Sequence, residues 1–331
     1  MAEKTLTEEE QFIKNNCLEQ QYARAKEISP NLWTMLQDIK KHYEDYSEYC
    51  GAIVQKEVVE ILKNSETKGI HSARFRVKKV DSLLTKIVKK KAFLSKDIQD
   101  DYDIEKYRDL DAGNYYKIIT DVGGIRILIR YREQWSQVHE WIWNRYYKGD
   151  EWYVHDFVKD YKVNEGKAFI AEKPKIYYRN HQDQIFYEQI GKDIFDFKLS
   201  DEGYNSIHYL INVDGKYIEI QLRTILDEAW GECTHDIVYK GANDPQLPEL
   251  QYLSQCLAQQ TIAAEAITNL IYEKVNQNGM IFGGLKSSEK NRDLQANDEK
   301  IPSGNKVESR MKLIEEKMAM KEFDGDLDSI L

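Results

Sequence analysis

The most constraining feature of this sequence is the dipeptide Asp214-Gly215, set between SIHYLINV (206–213) and KYIEIQL (216–222). Two β-type runs separated by such a pair specify a tight hairpin, because the turn that matches strand twist needs positive φ at its central residues. Val213 then faces Lys216, and the rest of the register follows: Leu210 opposite Glu219, His208 opposite Gln221, Ser206 opposite Arg223. Side chains alternate along a strand. Ile218, Ile220 and Leu222 therefore fill one face, while Glu219, Gln221 and Arg223 share the other with Ser206 and His208. One face is a core. The other is a polar platform, either a binding surface or the solvent side of an ordinary sheet.

The rest of the chain reads as helix-rich, since 331 residues contain only 5 Pro and 17 Gly. The helical stretch over 7–64 opens on a Thr7–Glu10 capping box. A second start is expected at Ser29-Pro30, followed by an amphipathic stripe of Leu32, Leu36, Ile39, Tyr43, Tyr46, Cys50 and Ile53. A strand is expected in HSARFRV and a basic helix in VDSLLTKIVKKK. The strongest strand signal is IITDVGGIRILIRY (118–131), followed by a helix over 133–147. Residues 150–198 read as short strands and loops, with no clear periodicity in YYRNHQDQIFYEQIG. Helices follow at about 224–239 and 248–277, then a polar linker over 284–304, a helix over 305–322 and the acidic end EFDGDLDSIL. The expected organisation is an N-terminal helical region (1–66), a central domain (67–241), a C-terminal helix (242–283) and a tail (284–331).

A net charge of -10 excludes a general nucleic-acid coat or a binder of anionic membranes, but it leaves room for a local basic site. Residues 71–91 supply one: eight basic residues stand against Asp81 alone. Lys89 to Lys91 fit a solvated helix face; Arg74, Arg76 and Lys78, in or beside a strand, point to an anion. Asp121, just before Gly123-Gly124, either caps a turn or holds a magnesium ion beside a closely approaching ligand. With Glu219 it would make a hard-oxygen pair suited to phosphoryl or pyrophosphoryl transfer. The chain carries four scattered cysteines, no apolar core in MAEKTLTEEE and no run long enough to cross a bilayer, so a cytoplasmic protein is expected.

RFRVKKVDSLLTKI, TDVGGIRILI, EGYNSIHYLI and IEIQLRTILDEAWGECTHDIVYK, in this order, resemble the synthetase domain of the RelA/SpoT alarmone synthetases. The resemblance implies an α+β fold, a mixed five-stranded sheet flanked by helices and related to nucleotidyltransferases, with helical extensions at both ends. It implies Mg2+-dependent transfer of the β,γ-pyrophosphate of ATP to the 3′-hydroxyl of GDP or GTP, making (p)ppGpp and AMP. On this resemblance Arg76 stacks on the ATP adenine, and Lys78, Ser82 and Lys86 hold phosphates. Asp121 and Glu219 are the catalytic and metal residues. Arg126 is structural or faces phosphate. Lys198, Tyr204, His208, Gln221 and Arg223 belong to the acceptor side, where Tyr204 would stack on the guanine. A Tyr204 whose hydroxyl anchors its loop is the plainer alternative.

The chain also departs from the family pattern. Phe75 stands in place of a common Gly, the stretch from Lys198 to Gly203 is longer, Thr234 replaces a frequent Glu, and the aromatic region before Lys198 is expanded. The pairs His155-Asp156 and His235-Asp236 lack the further ligands a hydrolase domain needs, so no hydrolase is expected. Two other readings stay open. Toxin-type relatives pyrophosphorylate the 3′ end of tRNA or adenosine nucleotides, and carry or pair with a neutralising element; alternatively, the fold is a non-catalytic binding module. A homo-oligomer is a further possible partner state. The acidic tail is a solvated end or a segment that restrains the basic site.

Overall fold

Thr7 caps the first helix as its spacing predicts. The Glu10 amide donates to Thr7 Oγ1 (3.2 Å) and the Thr7 amide to Glu10 Oε2 (2.8 Å), opening α1 (Glu8–Asn15). Helix α2 (Glu19–Ile28) and the 32-residue α3 (Leu32–Lys63) follow. The second start differs from expectation. Ser29 closes α2 by donating to the Ala25 carbonyl (2.9 Å), so Pro30 lies in the turn and α3 begins two residues later. The whole predicted stripe of α3, Leu32 to Ile53, is buried.

This computed structural model describes residues 6–63, 69–94, 102–147, 168–200, 203–239 and 247–277. The 284–304 linker, the 305–322 helix and the acidic tail fall outside them, as does His155-Asp156; the side chains of His235 and Asp236 are likewise not described. After α3 the chain runs β1 (Ile70–Val77), α4 (Val80–Phe93), α5 (Tyr102–Glu105), α6 (Tyr115–Ile118), β2 (Gly123–Ile129) and α7 (Trp135–Tyr146). Then come β3 (Phe169–Ile170), β4 (Lys175–Tyr178), α8 (His181–Gly191), β5 (Asp196–Leu199), β6 (Ser206–Val213), β7 (Lys216–Thr224), α9 (Ile225–Tyr239) and α10 (Leu247–Gln277).

The fold is α+β, a mixed sheet flanked by helices. Its strand order is β1-β2-β7-β6-β4-β5, with β3 also on β6, making seven strands among the described residues where five were expected. The region that read as short strands and loops supplies β3, β4 and β5, which at two to four residues are too short for alternation to place them. It also supplies α8, whose start is marked by Asn180: its side chain accepts from the amides of Gln182 and Asp183.

The β6–β7 hairpin has the expected register, from Val213 opposite Lys216 to Ile207 opposite Leu222. Asp214 (φ 50°) and Gly215 (φ 77°) both take the left-handed conformation the two-residue turn requires. Ile125, Ile127, Ile129, Ile218, Ile220, Leu222 and Tyr209 form the apolar face, covered by Ile53, Val54, Val58 and Ile61 of α3 and by α7. Gly123 lets α3 approach, because a Cβ there would lie 2.9 Å from Val54 Cγ1. A second core joins α2, the first half of α3 and α4.

A buried ionic cluster joins the far ends of these elements. Arg179 pairs with Asp183 (3.1 Å), Asp227 (2.9 Å) and Glu265, and Arg132 with Asp183 (2.8 Å). Thr224 Oγ1, at the end of β7, bonds to both Asp227 (3.0 Å) and Glu265 (2.7 Å). Three carboxylates face two guanidiniums. Burial and the neighbouring Glu265 push the Asp227 carboxyl above the usual carboxylate range, against the pull of Arg179.

His139 of α7 is packed among Trp135, Trp143 and Phe195, and its Nδ1 lies 3.0 Å from the Tyr209 hydroxyl. Burial pulls its pKa down to about 4. The unfolded chain therefore binds a proton, near pH 6.5, that the folded chain refuses. The stability that the neutral ring contributes is present above that pH and is lost as pH falls toward 4. Urea unfolding at pH 7 and pH 4.5 should show His139→Gln losing about 2 kcal/mol less than wild type between the two conditions. Equal losses would mean that His139 does not titrate this way.

Candidate active site

The polar face predicted for the hairpin extends across the sheet through the strand registers. Arg74, Arg126, Gln221, His208 and Lys175 form one row; Arg76, Gly124, Glu219 and Leu210 form the next. Gly124 leaves room for a side chain: a Cβ there would lie 3.3 Å from Arg76 Nε. Side chains from five strands thus converge on one surface.

Five expected site residues close a hydrogen-bonded ring. The Tyr204 hydroxyl is 2.8 Å from His208 Nε2, and His208 Nδ1 is 3.1 Å from Glu219 Oε1. Gln221 Nε2 donates to Glu219 Oε2 (2.7 Å), while Arg223 donates to Gln221 Oε1 (3.1 Å) and back to the Tyr204 hydroxyl. Burial alone would raise the Glu219 carboxyl. The His208 ring, the Gln221 amide and Arg76 overcome it and hold the group far below the ordinary carboxylate range. Each Glu219 oxygen is engaged once, so each keeps one acceptor direction free of the ring.

At the adjoining strand ends, Asp121 sits between Lys78 Nζ (3.0 Å) and Lys86 Nζ (3.0 Å). The two lysines outweigh burial and hold Asp121 below its usual range. Asp121 Oδ1 is buried and makes no hydrogen bond, its approach to Lys86 being an ion pair alone. Ser82 lies exposed on α4, one turn before Lys86. Asp121 and Glu219 are close enough to raise each other's proton affinity. Two carboxylates, one with an unsatisfied buried oxygen, fit a magnesium ion that completes its shell with phosphate and water. Among the described residues no group of three or more His, Cys, Asp or Glu forms a full protein cage.

Beside this lies a cleft of about 470 Å³, walled by Arg74, Phe75, Arg76, Arg126 and Glu232. Arg126 bonds to Glu228 (2.6 Å) and Glu232 (2.7 Å); Arg74 and Arg223 also reach Glu228. Glu228 was missed in the sequence. It is the buried carboxylate that lets three arginines share one face, and its place in the first turn of α9, just past Arg223, was the available signal.

The acceptor side is less uniform. Tyr204 is half-buried, with the Arg223 guanidinium 4.6 Å over its ring and Tyr177 edge-on at 5.6 Å. Tyr177, unremarked in the sequence, also lies 4.8 Å from the His208 ring. Lys198 is kept apart from the ring. It is on edge strand β5, half exposed and paired with Asp196 (3.1 Å). Thr234 is a helix-internal residue whose hydroxyl donates to the Trp230 carbonyl (2.9 Å).

With this geometry in hand, the family can be named. The family model for the region found in RelA/SpoT proteins matches residues 75–244, just over half of the chain. The chain belongs to the RelA/SpoT family. Its RelA/SpoT region runs from within β1 through α9 and contains every residue placed in the site above except Arg74, the residue just before it. Among solved structures, the chain is similar to small alarmone synthetase 1 from Bacillus subtilis bound to its product pppGpp, at 16% identity over 71% of this chain and 99% of that one (TM-score 0.46). It is also similar to a GTP pyrophosphokinase family protein from Streptococcus pneumoniae, at 14% identity over 73% and 98% (TM-score 0.46). No curated protein matches the sequence. No helix among the described residues is long and apolar enough to cross a membrane.

The lysine cluster at the end of α4 divides. Lys91 is not part of a solvated face: it is 1% exposed and its Nζ donates to the Arg108 carbonyl (2.9 Å). The helix turns it inward, four residues past the core residue Ile87. Lys91→Ala should lower unfolding stability by about 1–3 kcal/mol, and Lys90→Ala by less than about 0.5 kcal/mol. Equal effects in chemical denaturation would contradict this division.

Proposed function

We propose that this protein transfers the β,γ-pyrophosphate of ATP to the 3′-hydroxyl of a guanosine nucleotide, GDP or GTP, releasing AMP and making (p)ppGpp. Membership in the RelA/SpoT family supports pyrophosphate transfer as the reaction class. The observation that carries the reading is the junction of two arrangements: Asp121 held between Lys78 and Lys86, and Glu219 held in the ring with His208. The first suits a triphosphate, the second a hydroxyl that must lose its proton.

In this reading the arginine-walled cleft takes the donor base, with the guanidinium of Arg76 or Arg126 against its face. Lys78 and Lys86 turn from Asp121 toward the donor phosphates, with Ser82 beside them. Asp121 and Glu219 would hold magnesium, which supplies charge neutralisation on the phosphate oxygens. The acceptor 3′-oxygen forms a bond to the β-phosphorus as the bond from that phosphorus to the α-phosphate oxygen breaks, and AMP leaves with that oxygen. Glu219 accepts a hydrogen bond from the hydroxyl and takes its proton. His208 and Gln221 orient the carboxylate and stabilise its charge until then. Tyr204, Arg223 and Tyr177 border the acceptor, and Lys198 reaches it only by leaving Asp196.

Labelled ATP should be offered with GDP, GTP, ADP or deacylated tRNA. The expected result is label on the guanosine nucleotides, dependent on magnesium and reduced by at least about 10²-fold in Asp121→Asn. Label on tRNA or ADP would replace the acceptor in this reading, and no labelled product with any acceptor would favour a binding module.

The Tyr204 series separates ring from hydroxyl. Because the hydroxyl joins Arg223 to His208, Tyr204→Phe should raise the acceptor KM by several-fold, and Tyr204→Ala by about 10- to 100-fold, with ATP affinity unchanged in both. Unaltered acceptor kinetics in Tyr204→Ala would remove the residue from the acceptor site.

A further inference from the structure

The buried ionic cluster adjoins the acceptor side of the site. Tyr177, Tyr204 and Arg223 border the acceptor, and each stands one or two residues before a side chain that reaches Asp227. Arg179, two residues beyond Tyr177, donates to Asp227 Oδ1 (2.9 Å). Asn205, the residue after Tyr204, donates through Nδ2 to Asp227 Oδ2 (3.0 Å). Thr224, the residue after Arg223, has its Oγ1 3.0 Å from the same oxygen. Asp227, Asn205 and Thr224 are all buried. Three segments far apart in the sequence thus meet on one carboxylate.

The Tyr204 segment depends on such contacts, because Gly203 to Asn205 belong to no helix or strand. The Tyr204 amide donates to Ser200 Oγ (3.1 Å), and Asn205 reaches Asp227. Gly203, at φ 89°, lies flush against α10: a Cβ there would stand 2.5 Å from Ala258 Cβ. A buried ionic cluster adds little net stability, since desolvation offsets the attraction, but it admits few arrangements. Only a carboxylate suits position 227. One oxygen accepts from Arg179 and the other from Asn205, so an amide would have to turn its own N–H groups toward one of these donors. We propose, on the pyrophosphate transfer argued above, that Asp227 is a positioning residue for the acceptor, fixing through Arg179, Asn205 and Thr224 where Tyr177, Tyr204 and Arg223 stand.

A kinetic cycle with Tyr204 tests this role on the full chain, using whichever acceptor takes label. Asn205→Ala should raise the acceptor KM by about 10-fold, with kcat at saturating acceptor within about 3-fold of wild type and the KM for ATP unchanged. In the Tyr204→Ala background the same change should move the acceptor KM by less than about 2-fold, because the side chain it positions is gone. A residue that merely holds the fold would lower the active fraction, and so kcat, equally in both backgrounds. Asp227→Asn is the second variant. It keeps the shape and leaves two carboxylates facing two guanidiniums, and its oxygen should stay with Arg179 and release Asn205. Its KM shift should match that of Asn205→Ala and not multiply with it. Circular dichroism checks the fold of each variant. Effects of Asn205→Ala and Tyr204→Ala that multiply, or a loss confined to kcat, overturn the positioning role and leave the reaction standing. Failure of both Asn205→Ala and Asp227→Asn to fold also overturns it, making Asp227 a residue of the fold alone. A wild-type chain that labels no acceptor overturns the reaction itself, and the role of Asp227 with it.

Discussion

Strand β7 hydrogen-bonds in parallel to β2 and in antiparallel to β6. A slip of one residue against either neighbour would turn Glu219, Gln221 and Arg223 into the core and Ile218, Ile220 and Leu222 out of it. Exposing those apolar side chains would cost several kcal/mol, at about 1.5–3 kcal/mol for each fully buried one. The hydrophobic face therefore fixes where the polar face stands, and the Asp214-Gly215 turn sets the β6 half of that register before any tertiary contact forms. Arg76 and Arg126 then arrive opposite Glu219 and Gln221 through strand pairing alone.

The surface so built gathers charge of both signs. Arg74, Arg126 and Arg223 crowd one face and are held by Glu228, 5% exposed, with Arg223 itself buried and Arg74 and Arg126 also reaching Glu232. Lys78 and Lys86 differ: both are paired with Asp121, and both keep some access to solvent. Burial lowers the Lys78 pKa while Asp121 pulls the other way, so an incoming anion would be welcome there. In a chain of net charge -10, the basic site is thus divided into fixed structural arginines and available lysines.

Long-period and turn signals carried most of the architecture. The capping box, the α3 stripe, the hairpin register and the two C-terminal helices all stand where alternation and turn chemistry put them. What escaped was short or non-local. Short strands were expected within 150–198, but at two to four residues they have no room for a pattern that would place each one, and Asn180, a helix cap, looked like one more polar residue in a polar stretch. Arg179, Asp183, Asp227 and Glu265 are scattered over three segments, and only the folded chain shows that they meet. At the site, the placement of Glu219, His208, Gln221 and Arg223 on one face followed from period two. The ring closed by Tyr204 did not, because a hydroxyl four residues before His208 has no periodic signature.

That ring has a bearing on how such a site drifts through descent. Each of its five members satisfies two others, so the first loss strands two neighbours, and a second loss next to it removes groups already released. Substitutions within the ring are therefore strongly interdependent: the first is severely selected against and the next nearly free. Lineages that abandon this chemistry are expected to lose Tyr204, His208, Gln221 and Arg223 in company, whereas those that keep it retain all of them.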